Sequence, residues 1–307
     1  MIRVSQNILG NNASRPAATL PHRVVGVLAL IAALFMASCA GDERQTSDAA
    51  RTMRVVYGAD ASDYGILHLP PGDGPFPVVV MIHGGGWVQQ QGLDYFEPLA
   101  DSIASAGAAV WNIEYRRVGG AGGWPATLAD VDDAVDAVAG PVQEEAGGRL
   151  DLGRVFVAGH SAGGHLAAWA VGRHTLPPGA PGHRPEVRLQ GAVIMAGVFE
   201  LSLAVEHGHD RFVGGLLGGS PKQFPGRYAV ASPTEHLPVG VPVIALHGSA
   251  DSVVLPEQSS GYVDAATKAG DPARLQILDG VGHADFGDVD GRAWREARQA
   301  IMRLVNG

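Results

Sequence analysis

The sequence predicts an α/β protein: a doubly wound, mostly parallel sheet with helices on both faces and a short cap-like insertion. Two observations carry this. Short runs of near-continuous Val, Ile and Ala recur, as strands buried on both faces require. Between them lie stretches of helical length and period, and strands alternating with helices mean an α/β architecture. In chain order the strands are Met53–Tyr57, Ile66–Leu69, Val78–Ile82, Ala108–Ile113, Val155–Ala158, Ala192–Met195, Val243–Leu246 and Leu275–Leu278. The helices are Asp94–Ala106, Leu128–Glu145, Ala162–His174, Glu257–Ala269 and Arg292–Val305. In Leu128–Glu145 the apolar residues Val131, Ala134, Val135 and Val138 follow the 3.6 period, with Asp130, Asp132, Asp133 and Asp136 on other faces. Phe199 to His236 breaks the rhythm. It is rich in Gly, Pro and His and reads as an insertion over the functional site rather than a separate domain. In such sheets ligands bind beyond the carboxyl ends of the strands, so the loops that follow the strands should carry the chemistry.

Composition narrows the function classes. With 46% hydrophobic residues in 307, the chain has ample material for a full core. The net charge of −9 and the lack of any Lys/Arg cluster argue against a nucleic-acid partner. Cys39 is the single cysteine, which excludes an intramolecular disulfide and a cysteine-based metal site.

Gly159-His160-Ser161-Ala162-Gly163 matches G-x-S-x-G in the required context, with an apolar strand before it and a helix after it. Such a turn strains the nucleophile's backbone and tolerates only small neighbours. It exposes the Ser161 hydroxyl near the positive end of the helix. His83-Gly84-Gly85-Gly86-Trp87 follows the buried strand Val78–Ile82. Attack on a carbonyl puts negative charge on its oxygen, and backbone N–H groups must meet that charge. Ala162 supplies one such N–H, and Gly85 and Gly86 are the candidates for the others. His83 reads as a residue that fixes the loop and Trp87 as a wall of the substrate pocket. A base and an acid should follow in the order Ser, Asp, His. Asp251 follows Val243–Leu246, and His283 follows Leu275–Leu278. His283 would accept the Ser161 proton, and Asp251 would fix the tautomer and stabilise the imidazolium. Asp279, Asp285 and Asp288 flank His283 as rivals for the acid. His160 cannot easily reach its neighbour's hydroxyl and is expected to pack beside the turn. His207, His209 and Asp210 suggest a metal only superficially. His-x-His in a Gly-rich insertion, with no third ligand at suitable spacing, reads as solvated loop.

His83-Gly-Gly-Gly-Trp87 with Gly159-His-Ser-Ala-Gly-Gly-His-Leu-Ala167 resembles the esterases related to hormone-sensitive lipase and to kynurenine formamidase. Glu114-Tyr-Arg116, Leu217–Phe224 and Ala231-Ser-Pro233 are similar to the same group, so the resemblance covers roughly Tyr57 to the C-terminus. It implies an α/β-hydrolase fold with no metal and no organic cofactor. Residue by residue, it implies a triad of Ser161, Asp251 and His283 and oxyanion donors at Gly85, Gly86 and Ala162. The expected activity is hydrolysis of small-molecule carboxylic esters with small or medium acyl groups, through a covalent acyl-enzyme. An arylformamidase, amidase or peptidase would use the same triad and oxyanion. A non-catalytic binding protein on the same fold is the reading from another class.

The N-terminal segment adds a location. Residues 1–39 read as an export segment. His22 and Arg23 precede the apolar run Val24–Ala37, and small residues close it. Leu34-Phe-Met-Ala-Ser-Cys39 resembles a bacterial lipobox, with Met36 where Leu is usual. That resemblance implies cleavage before Cys39 and a lipid on it, which would anchor a cell-envelope lipoprotein to the membrane. Without the lipid the protein would be secreted. Residues 40–52 are small and polar and read as a tether, leaving 53–307 as the catalytic domain.

Overall fold

The computed structural model describes residues 50–307; the export segment, Cys39 and most of the tether lie outside the described residues. The strands are β1 (Arg51–Val56), β2 (Tyr64–Leu69), β3 (Phe76–Ile82), β4 (Ala109–Ile113), β5 (Leu150–His160), β6 (Ala192–Met195), β7 (Val243–Gly248) and β8 (Ala273–Leu278). They form one sheet in the order β1-β2-β4-β3-β5-β6-β7-β8. β2 runs antiparallel to both β1 and β4, and the pairs from β4 to β8 are parallel. This is the α/β-hydrolase arrangement. β1 begins two residues inside the expected tether, with Arg51 paired to Leu69 and Thr52 to His68. Ladder bonds use the backbone, so polar side chains at an edge do not prevent pairing.

The helices are α1 (Glu97–Ala104), α2 (Ala126–Asp136), α3 (Pro141–Glu145), α4 (Ala162–Val171), α5 (Leu201–Ala204), α6 (Asp210–Leu217), α7 (Pro225–Ala231), α8 (Glu257–Ala269) and α9 (Arg292–Asn306). Three expected helices are shorter or divided. Leu93–Phe96 is a 3-10 turn, and α1 starts after it with Pro98 in its first turn. The long helix expected over 128–145 stops at Asp136 and passes through a 3-10 turn. It restarts as α3 at Pro141, which has no N–H to continue the ladder. α4 ends at Gly172.

Side chains alternate across β3 and feed two cores. Val79 and Met81 pack with Leu99 and Ile103 of α1 and with Trp294 and Ile301 of α9. Val78, Val80 and Ile82 belong to the other core, with Val131 of α2, Leu166 of α4 and Tyr262 of α8. The apolar stripe of α2 is buried as its period requires, but its acids are not simply solvated. Asp130 is buried against the Arg116 guanidinium, and Asp132 and Asp136 hold the buried Arg173. Because β3 to β8 are parallel, the loops after β3, β5, β7 and β8 emerge on one edge. That edge carries His83, Ser161, Asp251 and His283.

Candidate active site

Ser161 joins β5 to α4 with φ 57° and ψ −121°, a strained conformation for a residue with a side chain. Its neighbours explain the flanking glycines. A Cβ on Gly159 would lie 2.2 Å from the Gly163 carbonyl oxygen, and one on Gly163 only 2.0 Å from that of Ile82. Both clashes are with backbone, which cannot swing away. The sharp turn therefore exists only with glycine at both sites. As the first residue of α4, Ala162 has an N–H with no partner inside the helix.

His283 opens a 3-10 turn (His283–Gly287) just past β8. Its Nε2 lies 2.8 Å from Ser161 Oγ, and its Nδ1–H donates to Asp251 Oδ2 at 2.7 Å. The other Asp251 oxygen accepts the N–H groups of Val253 and Val254, each at 2.9 Å. Burial opposes charge on Asp251, but bonds from His247 and His283 and these N–H groups outweigh it. They hold the carboxyl well below the usual carboxylate range. His247 donates Nε2–H to the Val254 carbonyl at 2.8 Å, and that nitrogen lies 3.3 Å from Asp251 Oδ2. Its Nδ1 meets the Ser259 hydroxyl at 2.7 Å. The rival acids are engaged elsewhere: Asp279 accepts from Ser249, Asp285 from the Gly282 N–H and Asp288 from the Asp290 N–H.

His160 packs beside the turn, as its position in the motif suggests. Its Nε2–H donates to the His283 carbonyl at 3.0 Å, and the two rings lie 4.8 Å apart. Burial, with His283 nearby, pushes its pKa down to about 3. It is therefore a neutral neighbour of the His283 imidazole at ordinary pH.

The glycine loop folds over Ser161. Gly85 and Gly86 take φ of 110° and 62°, and Trp87 takes 58°. Side chains close on this loop: a Cβ on Gly85 would lie 2.6 Å from Gln91 Cβ, and one on Gly86 3.0 Å from the Phe212 ring. Among the described residues, the N–H groups of Gly85 and Gly86 meet no backbone carbonyl, and both glycines line the cavity. The loop is pinned from beneath. His83 stacks on Tyr115 at 4.4 Å, and its ring nitrogens lie 2.8 Å from the Gly84 carbonyl oxygen and 2.9 Å from Glu114 Oε1. Burial works against charge on Glu114, yet His83, the Tyr115 N–H and Arg117 keep its pKa below the ordinary value. Trp87 does touch the cavity but is only 3% exposed. Its indole N–H donates to His165 Nδ1 at 3.2 Å, and His165 Nε2–H donates to the Ala231 carbonyl at 2.9 Å. Trp87 thus ties the loop to α4 more than it offers surface to a ligand.

The cavity at Ser161 has a volume of about 540 Å³. Val198, Ala204, Phe212, Val213, Val254 and Leu255 give it an apolar lining, with the insertion supplying Ala204, Phe212 and Val213. His207 and His209 also line this cavity, whereas the sequence places them in solvated loop. The turn Val205–His209, with Gly208 at φ 89°, sets them at the cavity rim, where His207 stays exposed and His209 is half-buried. Among the described residues, no group of three or more His, Cys, Asp or Glu side chains is placed to hold a metal ion.

The BD-FAE family model matches residues 66–265. The chain belongs to the BD-FAE family. The match takes in the glycine loop, the Ser161 elbow and Asp251 of this BD-FAE chain and stops short of His283. Among relatives, the probable carboxylic ester hydrolase LipM of Mycobacterium tuberculosis is 30% identical over 201 residues. The alignment covers 62% of this chain and 45% of LipM. The kynurenine formamidase of Danio rerio is 26% identical over 239 residues, 75% of this chain and 73% of that protein. The BD-FAE chain spans about half the length of the first curated relatives it matches. A truncated carbohydrate esterase from gut microbiota shares the fold. It has a TM-score of 0.72 and 21% identity, covering 86% of this chain and 99% of the other.

Sequence reasoning missed several groups around the site of this BD-FAE chain. His165 lies in the matched motif, but nothing in its spacing says that it receives Trp87. Glu114 and Tyr115 lie within a similar segment, yet their contact with His83 arises only from the β3–β4 pairing. Tyr95 lines the cavity and has no motif to mark it.

Proposed function

We propose that this protein is a serine hydrolase of carboxylic esters that works through a covalent acyl-enzyme. The observation that carries the reading is the unbroken hydrogen-bond chain Ser161 Oγ–His283 Nε2, His283 Nδ1–Asp251 Oδ2, at 2.8 and 2.7 Å at the wall of a cavity. Ser161 Oγ attacks the substrate carbonyl while His283 Nε2 takes its proton. Asp251, held as a carboxylate, fixes the Nδ1–H tautomer and stabilises the imidazolium. The N–H groups of Gly85, Gly86 and Ala162 receive the oxyanion. Collapse expels the alcohol, which leaves with the proton from His283, and Ser161 carries the acyl group. Water then attacks that ester, giving its proton to His283. The second collapse releases the carboxylic acid and returns the proton to Ser161. The apolar lining suits small or medium acyl chains.

The relatives named for ester hydrolysis support this reading. The formamidase relative supports a second one, because the same oxyanion forms during cleavage of an arylformamide. A lipid on Cys39, with the tether behind it, belongs to the proposal and would hold the enzyme at a bacterial envelope membrane.

Labelling with a fluorophosphonate and turnover of p-nitrophenyl acetate and N-formylkynurenine test the function together. The wild type should label and hydrolyse the ester, and Ser161→Ala should lose both while remaining folded. Preference for N-formylkynurenine would move the assignment to the formamidase. A wild type that neither labels nor turns over would leave a binding protein.

A further inference from the structure

Most polar side chains near Ser161 are already engaged. Gln258 accepts the N–H groups of Phe199 and Glu200 and donates to the Glu200 carbonyl. His160 and His247 are held as described above. Tyr95 differs. It stands in the turn Leu93–Phe96, and its phenol oxygen accepts the Gly84 N–H at 2.5 Å. Its own O–H meets no acceptor among the described residues, and the residue lines the cavity that contains Ser161. The placement is tight. A Cβ on Gly84 would lie 2.9 Å from the Tyr95 hydroxyl and 3.1 Å from Ser161 Cβ, so phenol and nucleophile crowd the same glycine. Across the site, the Tyr95 ring packs 3.8 Å from where a Cβ on Gly287 would stand, against the turn that carries His283. The phenol is thus wedged between the glycine loop and the base, with its proton unspent.

We propose that Tyr95 is a further catalytic residue, whose O–H donates to the substrate's carbonyl oxygen as it becomes the oxyanion. This rests on the ester-hydrolase reading above. Two physical effects favour the role. A hydroxyl that accepts a hydrogen bond is polarised and becomes a better donor, so the Gly84 N–H strengthens the Tyr95 O–H. Burial raises the phenol's pKa far above the working range, so the group stays protonated and can donate at any pH where His283 acts as a base. The Gly84 N–H is spent on Tyr95, which leaves the N–H groups of Gly85 and Gly86 as the loop's backbone donors. Tyr95 therefore passes the Gly84 dipole on to the substrate.

Tyr95→Phe keeps the ring and removes the donor. It should lower kcat by about 100-fold with KM little changed, as loss of one oxyanion donor does. The factor should be the same for p-nitrophenyl, phenyl and ethyl acetates, because the oxyanion is common to all three. Affinity for an aryl trifluoromethyl ketone, whose adduct places an oxyanion in the site, should fall by a similar factor. A second variant separates donation from mere loop support. Fluorotyrosine at position 95 makes the phenol a stronger donor and a weaker acceptor. The proposal expects kcat at or above wild type, whereas a loop-support role predicts a fall. Wild-type kcat and ketone affinity in Tyr95→Phe, a loss confined to KM, or a fall with fluorotyrosine would each overturn the Tyr95 assignment. A wild type that hydrolyses no ester and takes no fluorophosphonate would instead overturn the hydrolase reading beneath it.

Discussion

Replacing Asp251 by Asn tests the site where its geometry is most restrictive. The native carboxylate uses one oxygen for the Val253 and Val254 N–H groups and the other for His283 Nδ1–H. An amide has only one oxygen. If it faces the two backbone N–H groups, its NH₂ faces His283 Nδ1. The imidazole must then move its proton to Nε2, which is the atom that has to accept the Ser161 proton. If the amide flips, its NH₂ confronts two N–H donors, and two buried hydrogen bonds are lost at about 1 kcal/mol each or more. The first arrangement is therefore preferred, and it holds the wrong tautomer. Asp251→Asn should lower kcat by about 10⁴-fold, on the order of 5 kcal/mol of barrier, with KM little changed. Steady-state turnover of a p-nitrophenyl ester reads this directly, and near-ultraviolet circular dichroism confirms that the fold persists. Retention of more than a tenth of wild-type kcat would refute the argument. So would a larger loss from Asp279→Asn or Asp285→Asn.

Gly163→Ala would place a methyl 2.0 Å from the Ile82 carbonyl oxygen and 2.4 Å from that of His83. It should cost more than the ~1–3 kcal/mol of ordinary overpacking, and Gly261→Ala, where a Cβ meets nothing within 4 Å, should be tolerated. A urea midpoint for Gly163→Ala equal to wild type would contradict this. His160 and His165 are held neutral by burial, with pKa values pushed down to about 3 and about 4. Below the unfolded value of ~6.5 the unfolded chain takes up a proton at each that the folded chain refuses, so stability present above pH 6.5 is lost as pH falls toward these values. Asp251 acts in the same sense at lower pH: its contribution is present above ~3.9 and lost as pH falls through its depressed folded value. Midpoints of urea unfolding should therefore drop between pH 7 and pH 4.5, and a flat profile would rule this out. Cys39→Ser should move the protein from the membrane to the soluble fraction with unchanged kcat on a water-soluble ester. Mass spectrometry of the native N-terminus checks the lipid itself, and an unmodified Cys39 would exclude the anchor.

The sequence by itself determined the fold class and the places where chemistry could occur. Buried parallel strands need apolar residues on both faces, so Val78–Ile82, Val155–Ala158 and Val243–Leu246 announce themselves by composition. The Ser161 turn announces itself because its backbone collisions admit only glycine at positions 159 and 163. The order of Ser161, Asp251 and His283 follows from each standing just past a strand of one parallel sheet. Helix ends were less legible. Pro141 divides the helix expected over 128–145, and only packing decides how a chain proceeds beyond such a break. The position of Asp251 after β7 already marked it as the acid, with Asp279, Asp285 and Asp288 as rivals. Which carboxylate meets Nδ1 across the β7–β8 edge is a matter of tertiary structure, and there it is Asp251. Tertiary structure also brought His207 and His209 to the cavity rim, joined Trp87 to His165 and brought Tyr95 to the Gly84 N–H. These contacts link residues far apart in the chain or across irregular turns, where no side-chain period exists to be read. Local sequence encodes burial and backbone permission, whereas the partner of a polar group is decided by whatever the rest of the fold delivers to it.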